Sequence, residues 1–234
     1  LQHNYNLPVT VTYTITPKGP GATACPGTQI TRTVVVNPTP AINNLTASIC
    51  SGGTFTSTPV NGTNGVVPAG TNYTWGIPVV TGGITGGAAG SGATITGSLV
   101  NLSGSDQTAT YTVSPKSGTC TGANFTITVT VKSQPVGWNA STPTCSDAAL
   151  NYNLQTSVIN VAPGNNQASD FSWVATANPN VTGESTTAKT GDILNDVLHN
   201  VSGSDQNVLY TVTPTGTNGC AGSSFTVTVT VRSE

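Results

Sequence analysis

From Phe125 to Val131 the chain alternates without interruption, with Phe, Ile, Val and Val at one set of positions and Thr at every position between them. Phe225–Val231 repeats that pattern, and Ile30–Val36 carries a rougher version. A period of two is the signature of a strand with one buried face, so Phe125, Ile127, Val129 and Val131 are predicted to face a core and the threonines to face water. Tyr111 and Val113 fall on a preceding strand, with Pro115 to Gly122 as the hairpin between the two. The glycine-rich stretch from Gly82 to Gly97 reads as loop or weak edge strand. No segment has convincing helical periodicity, and the nearest candidate, Asp192–Leu198, is expected to be strand or turn.

These strands recur as part of a longer repeat. Tyr111-Thr-Val-Ser-Pro115 returns as Tyr210-Thr-Val-Thr-Pro214, after an earlier Tyr13-Thr-Ile-Thr-Pro17. Ser103-Gly-Ser-Asp-Gln107 returns as Ser202-Gly-Ser-Asp-Gln206, and Tyr73-Thr-Trp75 as Phe171-Ser-Trp173. The spacing is 98 residues from Tyr13 to Tyr111, 99 from Tyr111 to Tyr210 and 98 from Trp75 to Trp173. A solenoid repeat is about 20–50 residues, whereas a period near 98 fits a whole domain. The chain therefore divides into a truncated unit 1 (residues 1–38) and two complete units, unit 2 (39–134) and unit 3 (135–234). Proline marks both boundaries, at Asn37-Pro-Thr-Pro40 and Ser133-Gln-Pro135. Many short strands punctuated by turns point to an all-β protein of tandem Greek-key sandwiches. Unit 1 holds only the last strands of such a sandwich. An isolated hairpin is marginal in water, so it should lean on unit 2, on another chain or on preceding sequence.

Composition supports this and narrows the function. Threonine and valine favour pleated surfaces, and 27 Gly and 15 Pro supply turns. Charged residues are 6% of the chain and the net charge is −2, so no basic face exists to track a phosphate backbone and nucleic acid is not an expected partner. No apolar run approaches the ~20 residues that span a bilayer, which leaves no expectation of membrane insertion. The lack of a leader-like segment at Leu1 and of any Met suggests a piece of a longer polypeptide.

Five cysteines fall at matched places. Cys50 and Cys145 lie near the starts of units 2 and 3, and Cys120 and Cys220 lie in their last hairpins. The expectation is one disulfide within each unit, Cys50–Cys120 and Cys145–Cys220, each closing a loop worth roughly 4 kcal/mol. Cys25 matches the hairpin cysteines and is left unpaired in this fragment. No Cys-x-x-Cys or Cys/His cluster suggests zinc, and paired cysteines imply an oxidising, extracellular setting.

Titratable groups are too sparse for catalysis. Apart from tyrosine and cysteine, unit 2 carries only Asp106, Lys116 and Lys132 as ionisable side chains. In unit 3, His199 with Asp192, Asp196 and Ser202 could suggest a triad, but unit 2 has Val100 and Gly97 opposite His199 and Asp196. No catalytic residue is assigned. Calcium, which needs several oxygen ligands, has weak candidates in Asp192, Asp196 and Asp205. The plainer expectation for Asp106 and Asp205 is a turn residue bonding its own backbone. Trp75 and Trp173 are expected in the cores. Trp138 precedes Cys145 near the boundary and matches Asn43, so it is a candidate interdomain contact or glycan-stacking platform. The Asn-x-Ser/Thr triplets, which include Asn44, Asn101, Asn139 and Asn200, carry little information in a chain so rich in these residues.

Ile49-Cys-Ser-Gly-Gly-Thr-Phe55, Gly70-Thr-Asn-Tyr-Thr-Trp75, Tyr111-Thr-Val-Ser-Pro115 and Gly118-Thr-Cys-Thr-Gly122, closing on Phe125–Val131, resemble the PKD-like repeats of giant Bacteroidota surface proteins. The PKD motif Trp-Asp-Phe-Gly-Asp-Gly is not present, since Trp75 is followed by Gly-Ile-Pro and Trp173 by Val-Ala-Thr. The resemblance implies an Ig-like sandwich, export by the type IX secretion system and a role in adhesion or gliding motility at the bacterial cell surface. The expected function is thus a non-enzymatic stalk or adhesive module without a cofactor. Its partners would be neighbouring repeats, with surface polysaccharide or other cell-surface proteins at the adhesive end. Two alternatives are a carbohydrate-binding accessory module of a secreted hydrolase and a subunit of a surface filament.

Overall fold

The computed structural model describes residues 1, 3–21 and 25–233. Its strands fall into three groups with no pairing between them: one hairpin before residue 38, one set of sheets between residues 41 and 132, and one between 140 and 232.

Each complete unit is organised around four strands. In unit 2 an opening strand (Leu45–Cys50), a tryptophan strand (Asn72–Trp75), a tyrosine strand (Gln107–Ser117) and a closing strand (Phe125–Lys132) share one sheet. Unit 3 repeats the set as Ala140–Cys145, Ser169–Thr176, Gln206–Gly216 and Phe225–Arg232. The tyrosine strand is antiparallel to the closing strand, Tyr111 opposite Ile127 and Tyr210 opposite Val227. The opening strand pairs parallel to the closing strand, Cys50 opposite Lys132 and Cys145 opposite Arg232. Smaller two-stranded sheets cover the other face, including Thr54–Ser57 with Ile95–Ser98 in unit 2.

The alternation seen in the sequence is realised side chain by side chain. Ile127, Val129, Val131, Val227, Val229 and Val231 have no exposed surface, and Phe125, Phe225, Trp75 and Trp173 are buried with them. Two separate cores result, one from Ile42 to Val131 and one from Ala140 to Val231, each with its own tyrosine at the centre. The Gly82–Gly97 stretch supplies the short edge strand that was one of its two expected readings. Gly90–Gly92 pairs with the tryptophan strand, where a side chain on Gly90 would collide with the Trp75 ring, and Ile95 is fully buried. Asp192–Leu198 holds a short strand, Ile193–Leu194, as expected. One helical turn escaped the periodicity argument: Gln155–Ile159 forms a single π-type turn that drives Val158 and Ile159 into the core of unit 3. Five residues are too few to display a helical period.

Unit 1 is a two-stranded ribbon, Val9–Ile15 against Ile30–Val36. Tyr13, Ile15, Ile30 and Val34, which stand where unit 2 has core residues, remain substantially exposed. Its end rests on unit 2, where Leu7, Pro8, Asn37 and Pro38 line a cleft of about 300 Å³ together with Pro68, Ala69 and Ser117–Thr119.

The two central tyrosines are supported differently. Tyr210 donates a 2.7 Å hydrogen bond to Asp196, whose carboxylate also accepts from the amide and hydroxyl of Ser185. Burial first, then the bond to Asp196 and the negative charge nearby, push the Tyr210 hydroxyl far above its ordinary 10.0. In unit 2 the position of Asp196 is taken by Gly97, and the buried Tyr111 hydroxyl has no partner. Tyr210→Phe should therefore cost about 2 kcal/mol in unit 3, whereas Tyr111→Phe should fall within about 0.5 kcal/mol of zero or stabilise unit 2, both read by urea denaturation. Because folding raises the Tyr210 pKa, its contribution is present below the unfolded value of 10.0 and lost as pH climbs above it. Tyr210→Phe should accordingly flatten the alkaline decline of stability by one titrating group.

Candidate functional site at the junction of the two sandwiches

Parallel pairing decides where each cysteine goes. Cys50 ends the opening strand beside Lys132, at the end of unit 2 where the chain leaves for unit 3. Cys120 lies in the hairpin at the other end, opposite Ser117, while Gln107 sits opposite Val131. Ten steps along the tyrosine strand separate the two ends, roughly 34 Å at about 3.4 Å per residue. A disulfide needs Cα atoms about 4.4–6.8 Å apart, so the expected Cys50–Cys120 bond cannot form. The same geometry rules out Cys145–Cys220. Instead Cys50 bonds Cys220 of the next unit, with Cα atoms 5.6 Å apart, and Cys25, Cys120 and Cys145 are free.

Around this bond the two units are held by directional polar contacts. Asp106 Oδ1 accepts from the buried Ser133 amide at 3.1 Å and from Asn218 Nδ2 at 3.0 Å. Asn218 Nδ2 also donates to the Ser133 carbonyl, and Lys132 Nζ to the Asn218 carbonyl. On the opposite side of the linker, Asn165 Nδ2 donates to the carbonyls of Gln134 and Ser103, and its Oδ1 accepts from the Val136 amide. The Ser133 hydroxyl donates to Gln167 Oε1. Two glycines permit the close approach: a Cβ on Gly104 would strike the Asn165 carbonyl, and one on Gly222 the Pro135 carbonyl. Ser133 and Pro135 are buried, so the linker is part of a packed joint.

Asp106 thus bonds the start of the linker 27 residues away, and not its own turn; Asp205 does the same for Ser233 in unit 3. The turn itself is held by a buried asparagine. Asn101 donates to the carbonyls of Ser105 and Val131 and accepts from the amide and hydroxyl of Ser103, and Asn200 repeats all four contacts. Asn44 and Asn139 likewise accept from the closing-strand amides of Thr126 and Thr226. Sequence reasoning passed over all four, although each recurs at a matched position.

The other candidates are not brought together. Among the described residues no group of three or more His, Cys, Asp or Glu is placed to hold a metal, so Asp192, Asp196 and Asp205 do not form the suggested calcium cluster. Asp196 is spent on Tyr210 and Ser185, and Asp205 on Ser233. His199 Nδ1 lies 3.0 Å from Asp147, not Asp192 or Asp196, while Ser202 is engaged by Asn200 and Ser204. Trp138 is half-buried at the start of unit 3. Its indole N–H donates to the Val158 carbonyl at 3.0 Å, and its ring packs on the core of unit 3.

Since each sandwich has its own core, the Cys50–Cys220 bond should fix orientation more than folding. Reducing it should leave both units folded by circular dichroism while broadening the interparticle distance distribution seen by small-angle X-ray scattering. Asp106→Ala should cost the joint about 1 kcal/mol, by withdrawing the acceptor of the Ser133 and Asn218 donors. The reduced protein carrying it should open further than the reduced wild type.

Comparison with known proteins places this architecture. No curated protein matches the chain. Solved structures that align with the chain include the FN1–FN3 domains of chicken CNTN1, at 10% identity and a TM-score of 0.34, covering 94% of this chain and 77% of that one. The EC1–3 region of mouse PcdhgC3 aligns at 12% identity and a TM-score of 0.32, over 96% and 76% of the two chains. An endo-fucoidan hydrolase of glycoside hydrolase family 107 aligns at 13% identity and a TM-score of 0.30, over 95% of this chain but only 34% of that one. The PKD-like domain model matches twice, over residues 47–135 and 142–234. The two matches cover most of the sequence and coincide with the two disulfide-joined sandwiches, and the chain belongs to the PKD-like domain family.

Proposed function

We propose that this chain is a non-enzymatic, load-bearing segment of an extracellular stalk that holds an adhesive region away from a bacterial cell surface. The disulfide from Cys50 to Cys220 is the observation that carries this reading. It spans 170 residues and offers tension a covalent bypass: a pull arriving at the opening strand of unit 2 crosses at Cys50 and leaves through the closing strand of unit 3. Most of both cores lies inside the bypassed loop, while the closing strand of unit 3 lies outside it. The packed linker adds stiffness, since bending the joint would break the Asp106, Asn165 and Asn218 contacts together. The disulfide fits an oxidising location outside the cell. Gliding motility at a Bacteroidota surface and type IX export are the specific setting the repeat pattern suggests. Polysaccharide or cell-surface proteins would be met by the adhesive end, and neighbouring repeats by this segment.

Pulled from its two termini, the oxidised protein should extend less than the reduced one by roughly 580 Å, taking ~3.4 Å for each of the residues enclosed by the bond. Equal contour lengths in the two states would sink the load-bearing reading. A single proteolytic nick at the exposed Gly82-Gly83 turn should leave the pieces together on a non-reducing gel and release them on reduction.

A further inference from the structure

The far end of unit 3 repeats the half-joint that unit 2 uses. Cys145 is exposed and pairs in register with Arg232, as Cys50 does with Lys132. Asp205 Oδ1 accepts from the Ser233 amide at 3.0 Å, matching Asp106 and Ser133 at 3.1 Å. The turn behind it is tied by Asn200 just as the other is tied by Asn101. In the occupied joint, this surface receives a hairpin reading Asn218-Gly-Cys220, whose asparagine reaches Asp106 and whose cysteine bonds Cys50. The rim differs at Asp147 and His199, which stand where unit 2 has Gly52 and Val100.

We propose that the far end of unit 3 is a covalent docking site in which Cys145 bonds the hairpin cysteine of a further PKD-like unit stacked head to tail. The occupant is fixed by the occupied joint: a β-hairpin with asparagine two residues before its cysteine, followed two residues later by glycine so that it can lie against the linker. Cys120 is the hairpin cysteine at the other end, with Gly118 in the place of the asparagine. Its neighbours Ser117–Thr119 face Asn37 and Pro38, and Gly122 lies against the Pro40 carbonyl as Gly222 lies against Pro135. Bond formation needs a two-electron oxidant, here a disulfide-bearing one. The Cys145 thiolate attacks it to give a mixed disulfide, and the incoming hairpin thiolate then displaces the oxidant's second sulfur. The two protons lost from the protein thiols end on the oxidant's two sulfurs, which leave as thiols.

The reading concerns which bond forms, so it can fail while the mechanical role survives. Its test is the full chain with a second copy of residues 135–234 joined after Glu234. This places Ser233-Glu234-Pro135 where the present joint has Ser133-Gln134-Pro135. After oxidation by glutathione disulfide, free thiols are alkylated and the unreduced protein is mapped by peptide mass spectrometry. Loss of Cys145 alkylation, with a peptide linking it to the appended copy's Cys220, is expected. The appended copy's own Cys145 should stay alkylated. The proposal is overturned if Cys145 is alkylated as fully as in the 234-residue chain, or if the appended hairpin cysteine bonds elsewhere. In the same extended chain Cys145→Ser should preserve the circular dichroism spectrum and leave the appended Cys220 alkylated; a bond from that cysteine to any other partner would also overturn it.

Discussion

Parallel pairing of the opening strand with the closing strand is the constraint on which the rest depends. An antiparallel neighbour would begin where the closing strand ends, and the cysteine finishing it would lie beside the hairpin of its own unit. Running parallel, the opening strand delivers its cysteine to the end of the sandwich from which the chain departs. The hairpin cysteine stays at the end where the chain arrives. Each unit therefore carries one thiol at either pole, and stacking brings the trailing pole of one to the leading pole of the next.

The polar joint follows from the same arrangement. The closing strand and the Ser-Gly-Ser-Asp-Gln turn finish together at the trailing pole, so Asp106 can hold the first linker amide. With the linker fixed, the hairpin of unit 3 arrives in a set direction, and Asn218 bonds both Asp106 and Ser133. Several modest hydrogen bonds acting on one short segment restrict it more than any single one would. The disulfide then adds a bond that bending cannot dissociate.

The repeat, the strands and the buried positions were legible in the sequence because they are local or periodic. Phe125–Val131 needs only its own alternation to declare which residues are inside. Pairing of cysteines is different. Matched spacing shows that Cys50 and Cys145 are equivalent, but equivalence says nothing about direction, and the within-unit pairing silently assumed that the opening strand and hairpin share a pole. Strand polarity is set by tertiary contacts such as Ile49 against Val131, which no local pattern encodes. The partner of Trp138 was hidden for a related reason: the Val158 carbonyl sits on a π-type turn too short to leave a period. Asn101 and Asn200 could have been found, since they recur 99 residues apart beside a repeated turn. They were discounted because the triplets containing them are common in this composition.

The two copies also show which features the scaffold requires and which it tolerates. Both keep the asparagine-tied turn, the aspartate on the linker amide and the glycine against the linker carbonyl, all of which serve the poles. Inside the sandwiches they diverge: Tyr210 is satisfied by Asp196, while Tyr111 keeps a buried hydroxyl without a partner opposite Gly97. An unpaired buried hydroxyl costs on the order of 1–3 kcal/mol, and unit 2 bears that cost where unit 3 does not. A core can absorb such a loss, because each sandwich has many fully buried side chains to offset it. A pole has fewer contacts, and each must also fit a neighbour. The identical Ser-Gly-Ser-Asp-Gln turns therefore belong to a surface that meets another unit.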